Sequence, residues 1–195
     1  MTTISADLSA LSIKDLGSVP LEELLTTAST YLVGSPQQSL PYLNQALILS
    51  PSSAPIHAQR AVAYTLLENW PRAYFDACQG LDDDAEGLTD ELRAELIGLA
   101  GKCAAERMIW DLAVIHLEEA IGLTRTSALL ALQAKALSNL QKTSVSPVRT
   151  RMLNQRKTKF LEEAFPGIDE DEEWESSEGE GHEEDGGDDD IDMAM

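Results

Sequence analysis

Residues 54–81, APIHAQRAVAYTLLENWPRAYFDACQGL, constrain this chain more than any other stretch. Within them Trp70, Ala73, Tyr74, Ala77 and Leu81 recur at i, i+3, i+4, i+7 and i+11, the spacing of one helical face, with Gly80 at i+10. Moved 34 residues towards the N-terminus, the same frame falls on Pro36, Ser39, Leu40, Leu43, Ala46 and Leu47. Moved 40 residues the other way, it falls on Trp110, Ala113, Val114, Leu117, Ala120 and Ile121. One helix-turn-helix unit therefore occurs three times. Such a unit cannot bury an apolar face alone and gains a core only by stacking on its neighbours. Ala61, Ala73, Gly101 and Ala113 sit where two helices must approach closely, and Gly80 and Ala120 repeat the theme later in the second helix.

A helical repeat of 34 residues is the period of the tetratricopeptide array. The expected fold is all-α: three tetratricopeptide helix-turn-helix repeats, a capping helix, a further basic helix and a disordered acidic tail. Residues 1–18 carry Leu8, Leu11, Ile13 and Leu16 among Ser, Thr and Asp and read as a loose arm. Pro20, followed by Glu22 and Glu23, starts the first helix, because proline suits a first helical position and carboxylates favour the positive end of the helix dipole. Gly34 closes that helix and Ser35-Pro36 starts its partner. The second repeat begins at Ala54, turns at Glu68-Asn69 and restarts with Asn69 as N-cap. An insert over residues 81–91 delays the third repeat, whose helices run from Thr89 or Asp90 to Arg107 and from Ile109 to Leu123.

Residues 126–141 place Leu130, Ala134 and Leu137 on one face, flanked by Leu129, Ala136 and Leu140, as the capping helix of an array requires. The repeat domain with its cap is thus expected over residues 19–145. Ser146-Pro147 then starts a helix to residue 165 that holds Arg149, Arg151, Arg156, Lys157 and Lys159, five of the fourteen basic residues.

The net charge of -20 belongs to one end of the chain. Residues 1–161 hold 14 basic and 17 acidic side chains, whereas residues 162–195 hold 17 acidic ones and no Lys or Arg. From residue 166 onward the few apolar residues follow no helical or strand period, so this segment cannot offset its ordering entropy and is expected to be disordered. Its flexible reach is roughly 30 Å, and intermittent, salt-weakened association with the basic helix is expected. The tethered acid would compete with phosphates for those cations, which argues against direct nucleic-acid binding. Ser177, with Glu178 and Glu180 after it, resembles an acidophilic-kinase site, and an unmodified serine in a polar tail fits equally well.

Enzymatic constellations are missing from the sequence. His57, His116 and His182 stand apart from any Cys or carboxylate at metal-ligand spacing, and there is no Gly-rich phosphate loop or nucleophile elbow. Asp82, Asp84, Glu86 and Gly87 copy the start of a calcium loop, but the position of its bidentate Glu is Arg93, so the insert reads as a solvated loop. Cys78 and Cys103 lack the spacing of a disulfide framework and read as buried, reduced thiols. No enzymatic activity, metal or cofactor is expected. Asp7 and Asp15 argue against a secretory signal, and no stretch approaches the roughly 18 apolar residues of a membrane span. A cytoplasmic protein, with the nucleus as a second compartment and no membrane contact, is the expectation.

Ala58-Gln59-Arg60-Ala61-Val62-Ala63-Tyr64 resembles the IQRSxAY-type helix in the N-terminal tetratricopeptide domain of the suppressor-of-G-two-allele-of-Skp family of co-chaperones. Asp76-Ala77 is similar to that family's DA pair, and the longer spacing before Arg93-Ala94-Glu95-Leu96-Ile97 is similar to its third repeat. Residues 128–140 resemble its closing helix, so the likeness spans residues 20–145. It implies a scaffold contacting a protein partner, such as a ubiquitin-ligase or kinetochore component. Members of that family continue into a β-sandwich domain and a client-adaptor segment, whereas this chain runs into acid. Two-carboxylate clamp repeats, which hold acidic chaperone peptides, use Lys, Asn and Arg at five positions. Aligned by the small residues, those positions are here Leu24, Ala28, Gln59, Glu95 and Leu99. Four lack the chemistry, and Glu95 would repel a carboxylate, which argues against clamp-type binding.

The expected function is a non-enzymatic adaptor or co-chaperone that binds a protein segment on its concave face, lined by the first helices of the repeats. The candidate contact residues are Leu24, Ala28, Gln59, Val62, Thr65, Glu95, Leu99 and Lys102. The alternative is an assembly or escort chaperone for a basic client, a ribosomal protein or histone, with the acidic tail mimicking nucleic acid.

Overall fold

The computed structural model describes residues 16–166, apart from residues 83, 145 and 146. The arm over residues 1–15 and the acidic tail, with Ser177 and His182, lie outside the described residues. The described chain is all-helical: α1 (Leu21–Gly34), α2 (Pro36–Leu49), α3 (Ala54–Leu66), α4 (Trp70–Gln79), α5 (Asp90–Glu106), α6 (Trp110–Leu123), α7 (Ser127–Ser144) and α8 (Pro147–Ala164). Three hairpins form, α1 with α2, α3 with α4 and α5 with α6, stacked so that α2 meets α3 and α4 meets α5. The first helices α1, α3, α5 and the capping α7 also touch in succession and line one side of the stack.

The connections follow from local chemistry. Glu68 and Met108 hold equivalent places after α3 and α5, and both adopt the left-handed backbone with φ of 56° and 60°. That conformation aims the next amide back along the helix it ends, so Asn69 N–H donates to Tyr64 O and Ile109 N–H to Ala104 O, both at 2.9 Å. Asn69 then caps α4 by accepting from the Arg72 amide at 3.4 Å, and Thr89 caps α5 by accepting from the Leu92 amide at 3.2 Å. The insert between α4 and α5 is more than a solvated loop. Its Glu86 N–H donates to Ser52 O at 2.7 Å and its carbonyl accepts from Ala54 N–H at 2.9 Å, fastening it to the start of α3.

Packing runs through two apolar clusters. One joins Leu24, Ala28, Leu43, Ala46 and Ile56 in the first hairpin and the start of α3. Leu16, on a short turn over Leu16–Ser18, is 2% exposed in this cluster, so the end of the expected loose arm is fastened to the fold. The larger cluster extends from Tyr74 and Leu96 through Leu117 to Ala136, Leu153 and Phe160. Close approach requires the small residues: a β-carbon on Gly101 would lie 2.9 Å from Leu117 Cγ.

One expectation is corrected at the C-terminal end. On α7 the packed residues are Ala136 with Leu129, Leu132 and Leu140, whereas Leu137 is 43% exposed and Ala134 is also exposed. The helix is apolar on neighbouring faces, and the two readings differ by about 100°, one residue of helix. The basic helix α8 packs back on α4 and α7 and buries Leu153, Phe160 and Ala164, so it shares the core of the repeats.

Candidate functional site

A groove of about 400 Å³ opens between α3, α5 and the start of α7. Its position follows from how α5 is wetted. Ala94, Ile97, Ala100, Ala104 and their neighbours are buried, which leaves Glu95, Leu99 and Lys102, at i, i+4 and i+7, facing the groove. Ala58 and Val62 of α3 form the opposite apolar wall, and Val62 is 38% exposed. Leu129 of α7 closes the third side. Gly98 makes that closure possible, since a β-carbon there would stand 3.1 Å from Leu129 Cδ2. Glu95 and Lys102 are both exposed and lie about 10 Å apart along the helix axis, with Leu99 between them. The groove is therefore apolar along its length with opposite charges towards its two ends.

Of the eight residues proposed from sequence, Val62, Glu95, Leu99 and Lys102 converge on this groove. Leu24 and Ala28 do not face it: they are 0% and 1% exposed inside the first hairpin. The alignment that named them also named Glu95 and Leu99; in the first hairpin the equivalent positions are packed against α2 and α3 rather than left open. Thr65 is also buried, its hydroxyl donating to Ala61 O at 2.8 Å. Gln59 is half-buried, with an enclosed side-chain oxygen that has no hydrogen-bond partner among the described residues. Ala58, Gly98 and Leu129 were not anticipated. Leu129 carries the legible signal, an apolar residue at the start of the capping helix.

A second polar cluster fastens α2, α3 and α4. The Asp76 carboxylate is fully buried, accepting from Arg60 Nε at 2.8 Å and from a second Arg60 nitrogen at 2.6 Å. His57 Nδ1 lies 3.1 Å from the same carboxylate, and its Nε2 lies 2.9 Å from Pro51 O. Arg60 also donates to Asn44 Oδ1 at 2.9 Å, so one carboxylate and one guanidinium tie three helices together. Arg60 Nε and both of its terminal nitrogens each donate within the fold.

Four further titratable groups are shifted by burial. Tyr74 Oη lies 3.0 Å from His116 Nε2, and burial holds His116 below its ordinary value while raising Tyr74. Burial pushes the Cys78 thiol up to about 11 and the Cys103 thiol to about 12, so neither supplies a thiolate at neutral pH. Among the described residues no three His, Cys, Asp or Glu side chains converge as metal ligands would, and no helix is long and apolar enough to cross a membrane. No protein-family model and no curated protein sequence matches the chain.

Proposed function

We propose that the protein is a non-enzymatic adaptor of the co-chaperone type, which holds a segment of a partner protein in the groove between α3, α5 and α7. The observation that carries this reading is the apolar groove wall at Val62 and Leu99, left open to solvent between Glu95 and Lys102. A groove of that kind suits a segment with an apolar anchor seated against Leu99, a cation towards Glu95 and a carboxylate towards Lys102. The sequence resemblance around residues 58–64 supports a co-chaperone scaffold and, with it, a ubiquitin-ligase or kinetochore component as partner.

Affinity purification from a cell lysate with the wild-type chain, V62D/K102E and a chain ending at residue 166 tests this reading. Both substituted side chains are exposed, so the double variant should keep its fold. A partner held by the wild type and the shortened chain but lost by V62D/K102E supports the groove. The second reading, an escort for a basic client, rests on the 15 acidic residues between Asp169 and Asp192. It requires basic proteins to be held by the full chain, lost from the shortened one, and released as salt rises.

A further inference from the structure

Helix α8 carries cations that the fold does not neutralise. Lys157 ion-pairs with Asp111 at 2.9 Å, and Lys159 lies 3.9 Å from Glu163. Arg149 and Arg156 instead donate to uncharged acceptors, Lys142 O at 3.2 Å and Met108 Sδ at 3.8 Å. Among the described residues neither has a carboxylate partner. Arg149, Met152, Arg156 and Lys159 follow at i, i+3, i+7 and i+10, a stripe beside the buried face of Leu153 and Phe160. Met152 is 50% exposed, and Met108, which the stripe meets at Arg156, is 45% exposed. Cations interleaved with exposed methionines thus run along α8 from the end of α7 past the turn between α5 and α6.

We propose that this stripe docks the chain's own acidic tail, residues 167–195. Charge is complementary: the tail has 15 acidic residues between Asp169 and Asp192, and no Lys or Arg follows Lys159. The geometry of departure permits it. The tail leaves from the C-terminal end of α8, and Arg149 lies about 22 Å back along that helix. Random-coil scaling gives a segment of 29 residues, the length of the tail, a reach of roughly 30 Å. Tethering holds the acid at an effective concentration on the order of millimolar, which a separate acidic partner would have to exceed. Trp174, Ile191 and Met193 give the tail apolar groups to set against Met108 and Met152, whose flexible thioethers adapt to an irregular ligand. The docking is independent of the groove, and an incoming basic client would compete with α8 for the same acid.

The test uses the full chain with C78S and Ser176→Cys, the latter carrying a nitroxide spin label; Cys78 is half-buried and is removed, and Cys103 is buried. In a ¹⁵N spectrum at about 0.05 M salt, the amides of Met108 and residues 149–159 broaden, and the broadening is lost by about 0.5 M salt. It is also lost in R149E/R156E, whose substituted side chains are exposed and whose thermal melt should match the parent. A mixture of spin-labelled, unenriched chains with unlabelled, ¹⁵N-enriched chains shows no such broadening, because the contact is within one chain. Absence of broadening at low salt, broadening centred on the groove, persistence in R149E/R156E, or equal broadening in the mixture would each overturn the proposal.

Discussion

The ring of Phe160 in α8 meets Tyr74 in α4 edge-to-face, with centroids 5.1 Å apart and planes at 65°. A helix set apart by its charge is therefore welded to the middle repeat through aromatic contact. Phe165, just beyond its end, adds a second edge contact to Tyr74 at 6.1 Å and one to Phe75 at 5.4 Å.

Removing the Phe160 ring should cost the whole array. F160A empties a fully buried site and is expected to lose about 3 to 5 kcal/mol. Urea denaturation of the full chain checks this. A single transition shifted to lower urea is the expected result, and a loss below about 1 kcal/mol would mean that α8 is not part of the core.

Asp76 leaves two donor side chains stranded when it is removed. D76A should destabilise by about 3 kcal/mol, the low end for breaking a buried ion pair, because the Arg60 side chain retains 18% exposure. The same urea titration reads it, and an effect near zero would show that His57 and Arg60 find other acceptors.

Two glycines should respond with opposite signs. G101A drives a methyl group to 2.9 Å from Leu117 Cγ and is expected to destabilise by about 1 to 2 kcal/mol, overpacking outweighing the gain in helix propensity. G122A meets nothing within 4 Å among the described residues, and it should stabilise by about 0.5 kcal/mol. Thermal melts of the two variants decide it, and equal signs would contradict the packing described.

Acidification should expose the burial of His116. Its folded value lies below the ordinary 6.5, so on lowering the pH the unfolded chain takes up the proton first. Stability is full above pH 6.5 and is lost as pH falls from there through the lowered folded value. Melting temperature against pH should therefore slope downward below pH 6.5, and H116Q should flatten that slope. An unchanged slope in H116Q would assign it to other groups.

Much of the fold was legible because its signals are local. The turn at Glu68-Asn69, the caps at Asn69 and Thr89 and the three registered hairpins each depend on residues within a helical turn or on a repeated spacing. What stayed hidden depends on which of several apolar faces tertiary packing selects. The capping helix presents Leu130 and Leu137 on one side and Leu129, Ala136 and Leu140 on another, and nothing local decides between them. The pairing of His57 with Asp76 joins residues on different helices, so a scan for near-neighbour partners could not find it. At the groove, the one alignment by small residues selected Glu95 and Leu99, which line it, together with Leu24 and Ala28, which are interior: the alignment fixes a position along each helix, and whether that position is wetted depends on how the neighbouring helices pack.

The most direct measurement is a methyl NMR spectrum of the full chain, recorded as the partner captured by affinity purification is added. Shifts concentrated on the methyls of Val62, Leu99 and Leu129, and absent in V62D/K102E, are the expected result. Shifts confined to α8 or the tail, with those three methyls unmoved, would contradict the groove as the partner-binding site.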